Sequence, residues 1–191
     1  MTEGRRPLTG DEIRVAHVGE IKPLHGRVHI VAYDPRWVGL FEREAARVSG
    51  VLADRALRVE HVGSTAVPGL AAKPVIDIIL VVADSTHEAA YVPLLEAAGY
   101  RLHLREAWHA HRLFKGPDTD VNLHVFSERC PEIDRMLTFR DWLRTNAADR
   151  LLYERTKRVL AQRDWAFVQN YADAKSSVIE EIIARALRDR S

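Results

Sequence analysis

The stretch KPVIDIILVV, residues 73–82, constrains the fold of this chain more than any other segment. It is almost entirely apolar and rich in β-branched residues, which is typical of a strand that other elements cover on both faces. It also contains one acidic residue, Asp77, and an ionised carboxylate inside a sheet is costly unless it is paired. The segment therefore predicts an interior strand whose carboxylate has partners from other parts of the chain.

The other segments predict strands and helices in mixed order. Hydrophobic periodicity before residue 127 predicts, in turn, strand 27–33, helix 37–53, strand 56–62, helix 84–98 and strand 100–104. After Pro131 the pattern becomes helical, with stretches at 131–146, 147–163 and 165–187. We therefore expect an α+β fold, in which a mixed β-sheet is flanked by helices and followed by a C-terminal helical cap.

A single domain is expected, because 191 residues suit one core and no linker or fixed-period repeat interrupts the chain. Residues 1–27 are polar and punctuated by proline and glycine, so they are predicted to form an N-terminal arm. Residues 28–191 are predicted to form the domain, with a sheet core at 28–127 and a helical cap at 131–190.

Residues 108–126 are predicted to form a β-hairpin with KGPDTD as its turn. Centring the turn between Pro117 and Asp118 pairs His111 with His124. This register separates apolar from polar residues, whereas a one-residue slip would mix the two sets. The polar face then holds His109, His111, Asn122 and His124.

Gly63 and Ser64 end a predicted strand, and Asp77 follows in the next strand after a spacer of residues 65–76. Glycine lets the backbone approach a ligand closely, and N–H groups with a serine hydroxyl can hold phosphate oxygens. A neighbouring carboxylate can hold Mg²⁺ that bridges those phosphates. The alternative is structural: a tight turn at 63–64, with Asp77 bonded to backbone donors or to Lys73.

This pattern resembles the nucleotidyltransferase superfamily of the polymerase-beta type. More closely, the chain resembles the GrpB family of bacterial proteins across residues 28–187, in the segments YDPRW, EHVGSTAVPGLAAKPVIDI, NLHVF, FRDWLR and YADAKSSVIEEI. The resemblance implies a nucleotidyltransferase-like fold and a cleft for a phosphorylated small molecule.

The chain departs from the nucleotidyltransferase pattern at the residues that hold metal. Active members have a second acid two residues after the first, on the same side of the strand, and here that residue is Ile79. The later strand that would supply a third acid offers Asn122 and His124. One aspartate cannot offset two closely spaced cations. The expected cofactor is therefore a divalent metal at Asp77 and His124, with Mg²⁺ or Mn²⁺ ahead of Zn²⁺ or Fe²⁺.

These considerations define a candidate site. The expected catalytic residues are Asp77, His111 and His124. The expected ligand-binding residues are Gly63, Ser64, Thr65, Lys73, Arg140 and Lys175.

Two pairs in the helical region share one spacing, namely Tyr153 with Lys157 and Tyr171 with Lys175. Residues four apart lie on one helix face, so each tyrosine can cover the stem of its lysine. We expect the ammonium of Lys157 to lie in water. For Lys175 two roles stay open, a similar one and a phosphate contact.

The first function hypothesis is transfer of a nucleotidyl or phosphoryl group, or other chemistry on a phosphorylated or nucleotide-like small molecule. The second is a non-catalytic nucleotide- or anion-binding module that has lost the second carboxylate. The third is an interaction or accessory domain, and a homodimer is possible.

Composition bounds the partners. The formal net charge of +1 gives no field for nucleic acid, so none is expected as a partner. One cysteine, Cys130, excludes a disulfide within the chain. No signal peptide and no apolar run of about 20 residues is visible, so we expect a cytoplasmic protein without membrane contact.

Overall fold

A five-stranded sheet carries the fold in the computed structural model, which describes residues 9–19 and 27–189. The strands are β1 (Arg58–Val62), β2 (Ile76–Val82), β3 (Arg101–Arg105), β4 (Arg112–Lys115) and β5 (Val121–Ser127). The helices are α1 (Gly10–Ala16), α2 (Arg36–Leu52), α3 (Val92–Ala97), α4 (Pro131–Thr145), α5 (Ala147–Ala161), α6 (Val168–Asp173) and α7 (Ser176–Asp189). Residues 1–8 and 20–26 of the predicted arm, and residues 190–191, lie outside this description.

The strand order is β1-β2-β5-β4-β3. The β2–β5 pair is parallel and the other neighbouring pairs are antiparallel. The expected α+β fold with a mixed sheet is therefore confirmed, and the apolar segment at 73–82 forms the interior strand β2.

The two faces of β2 pack against different layers, because successive side chains of a strand point in opposite directions. Ile78 and Leu80 join the largest apolar cluster, together with residues of α2 and α3. Ile79 and Val81 face the other way and pack with Ile133 of α4. Asp77 lies on this second face, which α4 covers only in part.

The hairpin register differs from the predicted one. Leu113 is paired with His124, and His111 immediately precedes β4. The turn is centred one residue later than predicted, because β4 ends at Lys115 and β5 starts only at Val121. This moves the pairing by two positions along one strand, an even number, so the apolar and polar faces are retained. His109 leaves the polar face, since it lies in a 3₁₀ turn with φ of 51°.

Several predicted elements are shorter or absent. Residues 27–33 form no strand and make a single bridge, between Val31 and Ala72. Helix 84–98 is reduced to a 3₁₀ turn and α3, because the Asp84 carboxylate accepts a hydrogen bond from the Thr86 N–H at 2.8 Å and holds a turn. The last predicted helix is interrupted between α6 and α7.

Part of the predicted arm is ordered against the sheet. A capping box between Thr9 and Glu12 starts α1. The Val18 N–H then donates to the His103 carbonyl at 2.9 Å, so this segment runs along the edge strand β3.

Helices α4, α5 and α7 pack on one another and on the loop between β1 and β2. Leu143, Tyr153 and Ile182 form one apolar cluster with Val67 and Leu70 of that loop. The cap is therefore part of the same packing unit as the loop. Within residues 9–19 and 27–189, no helix is long and apolar enough to cross a membrane.

Candidate functional site

A cavity of about 970 Å³ opens on the polar face of the sheet. Seven of the expected site residues line it, namely Gly63, Ser64, Thr65, Lys73, Asp77, His124 and Lys175. These seven residues come from four places: the loop after β1, the strands β2 and β5, and the junction between α6 and α7. Segments far apart in the chain thus converge on one cleft.

Asp77 is positioned by β5 and not by Lys73 or backbone donors. Asn122 Nδ2 donates to Asp77 Oδ1 at 2.7 Å, and His124 Nε2 lies 3.7 Å from the same oxygen. Burial alone would raise the pKa of Asp77, but the neighbouring His124 imidazole, the hydrogen bond from Asn122 and the charge of Lys175 hold that pKa below its usual value. The carboxyl group is therefore an ionised acceptor in the cleft.

Gly63 is fitted to Asp77. Its φ of 68° and ψ of −169° belong to a region that only glycine occupies readily. A Cβ at this position would collide with Asp77 Oδ2. The chain can therefore turn from β1 into the loop beside the carboxylate only with glycine at this position.

The loop that follows is clamped by the helical cap. Glu154 of α5 accepts a hydrogen bond from the Ala71 N–H at 3.1 Å, and Lys157 Nζ donates to the Ala71 carbonyl. Arg144 of α4 donates to the Ala66 carbonyl at 2.9 Å. These contacts satisfy backbone groups in an irregular loop and set the position of Ser64.

Lys157 is buried, contrary to the expectation that its ammonium lies in water. Only 2% of the residue is exposed, and its Nζ lies 3.0 Å from Ser64 Oγ. Burial, with the positive charge of Lys175 as a second cause, lowers the pKa of Lys157 to about 7. Local spacing identified the contact with Tyr153 but carried no information on the loop that covers the amine.

Lys115 is a second cleft residue that sequence reasoning missed. It donates to Asn122 Oδ1, and burial lowers its pKa despite the nearby charges of Asp120 and Asp77. Strand alternation could have identified it, because Lys115 is four residues from His111 on the polar side of the hairpin.

The lysines share a location that no local pattern reveals. The chain has five lysines and many more arginines. Four of these lysines line the cavity, and the fifth, Lys22, lies outside the described residues. The charged lining comprises Lys73, Arg101, Lys115, Lys157 and Lys175 against Asp77 and Asp120. The sequence shows that lysine is rare, but it does not show that these lysines lie together.

Tyr171 adds a polar group to the lining of the same cavity. The residue is 4% exposed, and its hydroxyl has no hydrogen-bond partner among the described residues. It lines the cavity, and Lys175 Nζ lies 4.7 Å from the centre of its ring. A buried hydroxyl beside a cation can contribute a hydrogen bond to an incoming anion.

His111 lies behind His124 and does not line the cavity. Its Nε2 is 3.0 Å from His124 Nδ1, and its Nδ1 is 2.7 Å from Glu106 Oε2. The two imidazole rings are stacked, with centroids 5.2 Å apart. His111 therefore orients His124 and lies one contact away from the cleft, and Glu106, which contacts His111, lies two contacts away.

Two other expected ligand-binding groups are used internally. Arg140 does not line the cavity, because its guanidinium is bonded to Glu60, to Asp141 and to the His61 carbonyl. The Thr65 hydroxyl donates to the Val75 carbonyl at 3.2 Å and is buried. Both residues hold the walls of the site.

The donor set does not fit the two-metal arrangement that the nucleotidyltransferase resemblance implies. Ile79, which replaces the second acid, is fully buried among apolar side chains. Within the described ranges, no group of three His, Cys, Asp or Glu residues is placed to hold a metal ion. Asp77 and His124 alone offer two donors from one side of the cleft.

The fold and this lysine-lined cleft define an α+β protein with a polar site on one face of its sheet. The GrpB protein family model matches residues 27–185, and the chain therefore belongs to the GrpB family. The expected family membership is thus confirmed.

Known proteins extend this assignment. The chain is 60% identical to the UPF0157 protein BH1888 of Halalkalibacterium halodurans, over 94% of this chain and 93% of that protein. The crystal structure of the conserved protein GrpB from Enterococcus faecalis matches with a TM-score of 0.75 at 34% identity, and covers 85% of this chain and 99% of that one. A dephospho-CoA kinase of Mycolicibacterium paratuberculosis is 31% identical, over 83% of this chain and 46% of the kinase.

Proposed function

We propose that this protein binds a phosphorylated, nucleotide-like small molecule in the cleft beside Gly63 and Ser64. The observation that carries the proposal is the placement of the lysines, since every lysine among the described residues lines one cavity. Arginine supplies most of the positive charge elsewhere in the chain. A lysine is a compact point charge that suits phosphate groups.

The charge balance of the cleft supports an anionic ligand. The lining holds five basic residues against two acidic ones, so positive charge stays in excess even when the amine of Lys157 is neutral. Like charges gathered around a partly enclosed cavity repel one another, and a bound anion relieves that repulsion. Lys175 and the hydroxyl of Tyr171 lie on the wall of the cap, whereas Lys115 lies on the sheet and Lys73 in the loop before β2. A ligand with several anionic groups can contact both walls.

The size of the cavity agrees with a nucleotide-sized molecule, because sites for small molecules span about 300–1,000 Å³. A similar segment also forms less than half of a protein named dephospho-CoA kinase. That relative is consistent with a domain that works on phosphorylated small molecules.

Isothermal titration calorimetry with pyrophosphate and with ATP tests the proposal, in EDTA and again in excess Mg²⁺ or Mn²⁺. We expect binding in EDTA, and at least a tenfold loss of affinity in Lys175→Met. The matched control is Arg55→Met, which removes one positive charge from an exposed turn outside the cleft. Absence of binding to both ligands under all conditions, or equal losses in the two variants, would contradict the proposal.

Group transfer is a second candidate function, and the arrangement of Asp77 favours it. The carboxyl side chain is 28% exposed, lines the cavity and lies 3.7 Å from His124. An ionised carboxylate can take a proton from an attacking hydroxyl, and the lysines can neutralise the charge of the transferred group. Asp77→Asn should abolish turnover and leave ATP affinity within about threefold if Asp77 acts as a base. Retained turnover in that variant would reject the role.

We also propose that a divalent metal can bind in this cleft. Asp77 and His124 would hold it, and it would neutralise phosphate charge. If it takes part, ATP affinity should rise on addition of Mg²⁺ or Mn²⁺ in the wild type but not in Asp77→Asn.

A further inference from the structure

Ser64 and Lys157 make a contact that anion binding does not require. Ser64 lines the cavity at the start of a 3₁₀ turn that follows Gly63. Lys157 Nζ lies 3.0 Å from the Ser64 hydroxyl and also bonds to the Ala71 carbonyl. This amine is buried and held against one hydroxyl and one carbonyl, whereas a lysine that only attracts anions needs neither contact.

The surroundings of Lys157 favour the neutral amine. No ion pair joins it to a carboxylate in the described part of the chain. Its neighbour Glu154 is directed to the Ala71 N–H instead. A neutral amine can donate to the Ala71 carbonyl and keep a lone pair for the hydroxyl hydrogen of Ser64. The low pKa of Lys157, about 7, agrees with this arrangement.

We propose that Ser64 is a covalent nucleophile and that Lys157 is its general base. The choice of a phosphorylated substrate rests on the proposed function, while the reactivity of Ser64 does not. Thr65, the adjacent hydroxyl residue, cannot take this role because its hydroxyl is buried and bonded to Val75.

The step balances as a displacement at phosphorus. Ser64 Oγ forms a bond to phosphorus, and its proton passes to Lys157 Nζ. The bond from phosphorus to the leaving oxygen breaks, and that oxygen receives the proton from Lys157. Water or an acceptor hydroxyl then attacks the phosphorus of the phosphoserine and gives its proton to Lys157 Nζ. The bond from phosphorus to Ser64 Oγ breaks, and Lys157 returns the proton to that oxygen, which regenerates Ser64. The two lysines thus have different roles. Lys175, together with Tyr171, binds the anion, and Lys157 accepts the proton of Ser64.

A fluorophosphonate probe tests the nucleophile, because it modifies activated serines and carries no phosphate charge. The full chain is incubated with the probe from pH 5.5 to 9, and the modified residue is located by peptide mass spectrometry. We expect an adduct on Ser64 whose rate rises with pH around a midpoint near 7 and then levels off, since the neutral amine is the base. Lys157→Met should slow labelling at least 100-fold.

The control is Ser49→Ala, which removes an exposed serine outside the cleft and should label at the wild-type rate. Circular dichroism establishes whether Lys157→Met is folded. If it is not, the midpoint near pH 7 in the wild type remains the deciding measurement.

An absent Ser64 adduct over the whole pH range, or wild-type labelling in folded Lys157→Met, would overturn the proposal. A midpoint far from 7 would also overturn the role of Lys157. These outcomes are separate from those of the pyrophosphate titration. Binding without labelling leaves the proposed function intact and removes the nucleophile.

Discussion

Two Tyr-x3-Lys motifs of the cap differ in the burial of their lysines. Tyr153 and Lys157 lie four residues apart, as do Tyr171 and Lys175, and the ammonium-to-ring distances are 4.8 and 4.7 Å. Lys157 nevertheless is buried against the loop after β1, whereas Lys175 is partly exposed at the junction of α6 and α7. The contact with the tyrosine is the same, so the difference comes from the surroundings: Lys157 lies within α5, whereas Lys175 lies in the turn between α6 and α7.

The comparison shows what a spacing rule can and cannot establish. Residues at i and i+4 meet on one helix face wherever the helix lies. Whether the amine then meets water, a backbone carbonyl or a hydroxyl depends on segments that are distant in sequence. The Ser64–Lys157 contact joins residues 93 positions apart. A matched pair of substitutions can therefore separate structural from ligand-binding roles.

Charge reversal should separate the two lysines most strongly. Lys157→Glu places an unpaired carboxylate beside the Ala71 carbonyl, so it should lower the free energy of unfolding by about 3–5 kcal/mol. Lys175→Glu changes a partly exposed position and should cost about 1 kcal/mol or less. Urea unfolding at pH 7 measures both. Similar losses in the two variants would mean that the difference in burial has no energetic consequence.

The second-largest difference between the two lysines should be in the pH dependence of the free energy of unfolding. The pKa of Lys157 is about 7 when folded, against an ordinary value of 10.5, so the unfolded chain binds one more proton between these limits. Its contribution to stability therefore increases from pH 7 to 10.5, by up to about 1.4 kcal/mol per pH unit, and is flat below pH 7. Lys157→Met should remove this increase and Lys175→Met should keep it. Urea midpoints from pH 6 to 10 provide the measurement, and an unchanged slope in Lys157→Met would refute the assignment.

Removal of each tyrosine hydroxyl should have the smallest effect. Tyr153 is buried and its hydroxyl interacts with Ser64, so Tyr153→Phe should lose about 1 kcal/mol of stability. Tyr171→Phe removes a buried hydroxyl without a described partner and should leave stability unchanged or slightly higher. The same variant should weaken pyrophosphate binding, because the anion loses a donor. Thermal unfolding and calorimetry check the pair, and a loss of stability only in Tyr171→Phe would reverse the comparison.

Much of the fold was predictable because periodicity reports burial directly. The apolar segment around Ile78 identified the interior strand, and alternation in the hairpin separated its faces although the register was wrong. The errors lie where single side chains decide the backbone. The Asp84 turn shortened a helix, and the stretch around Val31 had strand-like residues but only one bridge to a neighbouring segment.

The sequence predicted the site residues that lie in one segment or on one strand face, but not those whose role depends on contacts with distant segments. Gly63, Ser64 and Asp77 belong to one segment, and strand alternation brought His124 to the same face. Lys157 was missed because its role depends on a loop 86 residues earlier. Arg140 was included because an exposed and a buried guanidinium look the same in a sequence, and here Glu60 and Asp141 bind it.

The clamp on the loop has a consequence for how the protein is made. Ser64 and Ala71 receive their bonds from Lys157, which follows them by 93 and 86 residues. During synthesis the loop therefore lacks these hydrogen bonds until the C-terminal third of the chain has emerged and packed against it. Contacts of such long range form slowly, because the intervening chain must first be ordered. We therefore expect the cleft to reach its final structure late in folding, after the sheet beneath it has formed.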